Sequence, residues 1–334
     1  MRFSLALLSV VFAGCGSDNG LFEQKHTDTF SQAPNNEVDI LWVVDDSYSM
    51  AEEQATLADG FASFAGQLLT SGTDFQIGVI TTSFEYTDPN RAALVGDPPF
   101  LTLNDDYERL FQERATAVGV GGSDKEKGLE AAAWAVSTLL TAPGGLNEGF
   151  VRDSAQLLIV IVSDEEDCSD NGALEGQSPE ACYTESNELT PVSDFVLELR
   201  ELKDHDDDVT VSAIVGQVDS ECDDVWTGVR YISAANQTGG LAGDICESSW
   251  NTMLEDMGLK ATGISDQFQL TKGAIPGTIV VTVDTDEIHQ SDVNGWTYDA
   301  ATRFLRFHGD AIPPRDSLVN VTYTVDPGYV SPST

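Results

Sequence analysis

Two apolar runs limit what this chain can become. Residues 38–44 read VDILWVV and residues 155–163 read AQLLIVIVS. Apart from Asp39, neither run alternates apolar with polar residues, as a strand wetted on one face would. Continuous β-branched strands need cover on both sides, which a mostly parallel sheet between two layers of helices supplies. Residues 51–69 fit such a helix, with Leu57, Phe61, Phe64, Ala65 and Leu68 at helical spacing. Further strands are expected at 75–82 and 209–216, and further helices at 125–140, 192–202, 229–235 and 248–259. The expected class is an α/β doubly wound sheet of Rossmann-like type. In such sheets a ligand sits beyond the carboxyl ends of the strands. Both runs end there in acids: Asp45-Asp46-Ser47-Tyr48-Ser49 after the first, Asp164-Glu165-Glu166-Asp167 after the second.

The pattern changes after Gly263. Short alternating runs at 268–271, 278–283, 296–298, 304–307 and 318–325 are separated by Gly, Pro, Asp and Asn. They predict a small all-β domain of about five strands over 264–334. Trp296, Tyr298 and Phe307 fall on these runs as core residues.

The first residues read as an export signal. Met1-Arg2 is followed by an apolar stretch, Phe3 to Phe12, too short to span a bilayer as a helix. Ala13-Gly14-Cys15 then places small residues before a cysteine. This resembles the lipobox of bacterial lipoproteins, although Phe12 stands where leucine is usual. The resemblance implies a signal peptide over 1–14 and a lipid on Cys15, with an ordinary secretory signal as the alternative. Gly16, in place of the aspartate that marks inner-membrane retention, points to the outer membrane. Residues 15–37 are polar and aperiodic and read as a flexible tether.

Without Cys15, four cysteines remain: Cys168, Cys182, Cys222 and Cys246. An even number suits disulfides in an oxidising compartment. Three pairings are open, of which Cys168–Cys182 with Cys222–Cys246 is the sequence-local one. A zinc site is the alternative, but no CxxC spacing supports it.

The chain has 16 Lys and Arg against 56 Asp and Glu, a net charge of −40. That sign excludes nucleic-acid binding. It suits divalent cations, basic partners or plain solubility. Other chemistry is missing too. There is no GxSxG elbow, GxGxxG turn or Walker loop. His26, His205, His289 and His308 are scattered. Ser47 stands where an aspartyl phosphatase would need its second aspartate.

What remains is the strand end. Asp45-x-Ser47-x-Ser49 follows a buried strand and precedes an amphipathic helix, within an α/β alternation. This resembles the metal-ion-dependent adhesion site of von Willebrand factor A (VWA) domains, and the resemblance extends over residues 38–263. RYISAANQTGGLAGDIC and VSDEEDCS are similar to segments of bacterial surface proteins of that kind. The resemblance implies a Mg²⁺ or Ca²⁺ ion, since hard cations take oxygen ligands. It implies that three loops supply them: Asp45, Ser47 and Ser49 from the first, Ser123 of GVGGSDKEKGLEAA from the second, and Asp164 from the third. Thr116 is the alternative in the second loop, and Asp46 is not counted as a direct ligand. Asp45 and Ser47 could instead cap the following helix. Glu165, Glu166 and Asp167 could form a second cation site or a solvated loop pinned by Cys168.

The expected function is therefore metal-bridged binding of an acidic group on a protein partner, by a lipid-anchored protein of the cell envelope. A purely structural ion is the second reading. A metal-assisted hydrolase is the third, and it lacks a candidate general base.

Overall fold

The computed structural model describes residues 24–32, 36–220 and 222–327. Cys15 and the export signal lie outside these residues. The elements follow as β1 (Lys25–Ser31), β2 (Glu37–Val44), α1 (Ala51–Thr70), β3 (Asp74–Thr81), α2 (Tyr107–Ala117), α3 (Gly128–Val136) and the single turn α4 (Thr138–Thr141). Then come β4 (Gln156–Ser163), α5 (Ala181–Thr184), α6 (Val192–Arg200), β5 (Val209–Val215), α7 (Val229–Thr238), β6 (Ala242–Asp244) and α8 (Asn251–Ala261). Six short strands close the chain: β7 (Gln267–Gln269), β8 (Val280–Val283), β9 (Asp286–Ile288), β10 (Gly295–Asp299), β11 (Phe304–His308) and β12 (Leu318–Thr324).

Two units result. The larger holds Ser31–Asp266 and Pro313–Ser317. Its sheet runs in the order β3–β2–β4–β5–β6, with every pairing parallel. Residues 38–44 of β2 are buried throughout, because helices cover both faces. On one side, Ile40, Trp42 and Val44 pack with residues of α1, α2 and α8. Trp42 meets Phe64 and Phe111 edge-on, at ring distances of 5.1 and 5.3 Å. On the other side, Leu41 and Val43 pack with α3, α6 and α7. From β2 the chain crosses to β3 on one flank and later enters β4 on the other. In open α/β sheets such a reversal marks the crevice outside the carboxyl ends of the strands where ligands bind, here beyond β2 and β4.

Three elements depart from expectation. The single helix expected over 125–140 starts later and is broken. Backbone groups of Glu126 and Lys127 are engaged elsewhere: Lys127 N–H donates to Thr82 O at 3.0 Å, and Cys168 N–H donates to Glu126 O at 2.6 Å. At Ser137 the backbone turns extended (ψ 149°), which separates α3 from α4. Second, α2 was not anticipated, although Leu110, Phe111 and Ala115 pack into the core.

Third, the stretch read as a tether contains β1. It belongs mainly to the smaller unit, together with Gln267–Ile312 and Leu318–Thr334. There β1 lies beside β12 in a four-stranded sheet, β1–β12–β8–β9. A three-stranded antiparallel sheet, β10–β11–β7, completes the unit. Trp296, Phe307, Val321 and Tyr323 share its core. Asp28 of β1 is what the tether reading could not see. It is buried and accepts hydrogen bonds from the Tyr323 hydroxyl at 2.7 Å and the Thr271 hydroxyl at 2.6 Å.

Candidate functional site

Register puts the two acidic strand ends side by side. Val44 pairs with Val162, so Asp45 emerges next to Ser163, and its N–H donates to Val162 O at 2.9 Å. The Asp45 side chain is fully buried. Its Oδ1 accepts the Ser47 N–H at 2.7 Å and its Oδ2 accepts the Ser163 hydroxyl at 2.5 Å. The Ser47 and Ser49 hydroxyls stand 3.2 Å apart. Ser47 precedes the 3₁₀ turn Tyr48–Met50 yet makes no side-chain capping bond, so capping does not account for its hydroxyl. Gln54 of α1 reaches back, donating to Asp45 O at 2.9 Å and to Gly119 O at 2.8 Å. That amide ties the first loop to the second.

The third loop brings Asp164, which is 2% exposed. Trp226 N–H holds its backbone carbonyl at 2.7 Å, while its Oδ1 is buried with no hydrogen-bond partner among the described residues. Burial raises the Asp164 carboxyl, and hydrogen bonding from Ser49 works the other way. Burial pushes Asp45 up to about 7, and the nearby Asp164 charge adds to it. Glu165 is pushed up to about 6 by burial and by the charges of Asp164 and Asp124. Buried acids that repel one another are costly in their charged form unless protons or a cation neutralise them.

The second loop is laid over the first. Gly122 N–H donates to Asp46 O at 2.7 Å. Ser83 links the pair, donating to Asp46 Oδ1 at 2.8 Å and accepting Ser123 N–H at 2.7 Å. The Ser123 hydroxyl accepts Lys125 N–H at 3.1 Å. Ser123 lines a cavity of about 310 Å³ with Glu85, Asp124, Lys125 and Glu175. Thr116 lies on α2, where its hydroxyl donates to Gln112 O at 3.0 Å, within its own helix.

The residue that sequence reasoning passed over is Glu126. It is 1% exposed. Its Oε2 accepts the Thr82 hydroxyl, and its Oε1 is buried without a partner among the described residues. Burial raises it well above the usual carboxylate range, and the charges of Asp45, Glu165 and Asp46 add to this. The one sequence sign was an acid three residues beyond Ser123, inside a segment read as helix.

The structure does not gather Glu165, Glu166 and Asp167 into a second cation site. Asp167 is turned inward, where its carboxylate takes Arg230 Nε at 2.9 Å, Ser169 Oγ at 2.7 Å and Leu129 N–H at 3.1 Å. Glu166 accepts Arg230 N–H at 3.0 Å. Glu165 remains close enough to Asp164 to feel its charge. Behind them Cys168 is bonded to Cys182, and Cys222 to Cys246.

The donors at the strand end are all oxygens: carboxylates of Asp45, Asp164 and Glu126, and hydroxyls of Ser47 and Ser49. That set suits Mg²⁺ or Ca²⁺ rather than a softer metal. Among the described residues no three His, Cys, Asp or Glu side chains converge in metal-holding geometry. A cation here would therefore need the serine hydroxyls as well as the acids. The unpartnered oxygen of Asp164 is the feature that fits one.

No family model and no curated protein matches the sequence. Solved structures do. The chain is similar to the pilus adhesin SpaC of Lactobacillus rhamnosus GG in its open conformation, at 13% identity and a TM-score of 0.46, over 92% of this chain and 42% of the adhesin. It is also similar to proximal thread matrix protein 1 of the mussel byssus, at 15% identity and a TM-score of 0.37, over 75% of this chain and 51% of that protein. The chain thus spans less than half the length of the adhesin.

Proposed function

We propose that the crevice between β2 and β4 holds a Mg²⁺ or Ca²⁺ ion, and that the ion bridges to an acidic group on a protein partner. The reading makes the larger unit a VWA-type domain of a cell-envelope protein, lipid-anchored through Cys15 at the outer membrane. Binding, not catalysis, is its output. One observation carries it: Asp45, Ser47 and Ser49 meet Asp164 where β2 and β4 end side by side, and Asp164 keeps a buried oxygen with no partner among the described residues. Ser47, Ser49 and Asp164 would touch the ion directly or through water, and Asp45 would hold Ser47 in place. Neutral hydroxyls leave charge on a divalent cation, which a partner's carboxylate can then meet. The surroundings suit a protein surface. Tyr48, between the two serines, is 87% exposed, and Trp226, bonded to the Asp164 carbonyl, is 59% exposed. Exposed aromatic residues of this kind are frequent anchors in protein interfaces.

The test is calorimetric titration of the chelator-treated chain with Ca²⁺ and Mg²⁺, beside Asp45→Ala and Asp164→Ala. Saturable one-site binding is expected, lost in the first variant and weakened at least about tenfold in the second. Unchanged binding in both would place the ion elsewhere and sink the proposal.

A further inference from the structure

We propose that Glu126, and not Ser123, is the second-loop ligand of the cation. The inference rests on the ion site proposed above and deepens it.

Position comes first. An antiparallel bridge sets Glu126 against Ser83, just past the end of β3. Its carbonyl accepts Cys168 N–H from the third loop, and the next residue donates to Thr82 O. Backbone from β3 and from the second and third loops therefore meets at this residue. A side chain starting there is fixed from both flanks.

The side chain is fixed as well. The Thr82 hydroxyl binds Oε2 and orients the carboxylate. Oε1 is left buried, with no donor among the described residues, in a residue only 1% exposed. The charges acting on it come from Asp45, Asp46 and Glu165, which are the acids of the same strand end. A buried carboxylate oxygen near other acids is costly unless a proton or a cation neutralises it, and above the pH at which it holds the proton a cation is the remaining choice. Asp164 Oδ1, also buried and unpartnered, faces the same need from the third loop. Two orphaned carboxylate oxygens, one on the second loop and one on the third, are the groups that a cation beside the Ser47 and Ser49 hydroxyls would satisfy. Ser123 fits it less well, since its hydroxyl is engaged by Lys125 N–H and it lines the neighbouring cavity.

The experiment uses the full-length chain in detergent, treated with chelator and titrated with Ca²⁺ by calorimetry. Tb³⁺ serves as a second probe, because its luminescence lifetimes in H₂O and D₂O count coordinated waters. Glu126→Gln should weaken Ca²⁺ binding at least about tenfold and add about one water to bound Tb³⁺, while Ser123→Ala should stay within about threefold of the parent. Thr82→Val, which frees the carboxylate without removing it, should cost about tenfold. This second variant keeps the inference testable if Glu126→Gln fails to fold. The inference is overturned if Asp45→Ala abolishes binding while Glu126→Gln and Thr82→Val match the parent in affinity and water count. In that case the ion site itself stands. Binding unchanged in Asp45→Ala as well would overturn both.

Discussion

A Cβ on Gly122 would lie 2.3 Å from Asp46 Oδ1. At that residue the second loop rests directly on the first, with the Gly122 N–H on the Asp46 carbonyl. Gly122→Ala must push Asp46 off Ser83 or lift the loop. We expect a loss of stability on the order of 1–3 kcal/mol, as for other overpacked sites, and a weaker cation affinity. Thermal melts and calorimetry of the variant check both, and a melt and affinity equal to the parent would show slack between the loops. The same close fit explains what could be read in advance. Asp45, Ser47, Ser49 and Asp164 follow directly on the two apolar runs, so their place at the strand ends was legible. Glu126 was not, because its importance comes from where β3 and the third loop meet it. Nor can residue type reveal that the Ser123 hydroxyl is taken by Lys125 N–H.

At the scale of elements, the central strands were legible because burial on both faces leaves a pattern that few other structures allow. α2 was missed although Leu110, Phe111 and Ala115 carry a helical pattern. β9 reads DEI, too short and charged to announce itself, as edge strands often are. Cys168–Cys182 joins the third loop to α5 across a sequence separation of 14. Cys168 is also the residue whose N–H holds the Glu126 carbonyl. Replacing both cysteines with serine should therefore do two things. It should cost about 3 kcal/mol through the unfolded chain, and it should loosen the cation site. Denaturant melts report the first and Ca²⁺ titration the second. If stability falls while affinity stays, the disulfide stiffens the loop without positioning the site.

For the molecule as a whole, acids dominate, and burial makes several of them hold their protons to higher pH. Asp45 and Glu130 are raised to about 7 and Glu165 to about 6, each mainly by burial, against about 4 in an unfolded chain. The folded protein thus binds more protons than the unfolded one across that window. Their contribution is fully present below about pH 4 and is lost as pH rises through about 7. Asp28 and Asp170 run the other way, held low by hydrogen bonds despite their burial, so their contribution is lost in stronger acid. The chelated protein should melt highest in mild acid and progressively lower up to pH 8. If the proposed site holds Ca²⁺, saturating Ca²⁺ should flatten that decline, since the ion would replace the protons. Melting curves at several pH values, with and without Ca²⁺, decide this, and a chelated protein whose stability climbs from pH 5 to pH 8 would contradict it.

β1 and β12 are neighbours in one sheet, yet the whole α/β unit lies between them in sequence. During synthesis β1 leaves the ribosome first and finds no partner. The α/β unit is nearly continuous in sequence and can fold as it emerges. The β unit cannot close until the last strand has been made. Its first strand therefore spends most of translation as an unpaired edge, the state in which chains pair with the wrong neighbour. Alternating Lys25, Thr27 and Thr29 with His26, Asp28 and Phe30, it carries one large apolar residue through that wait.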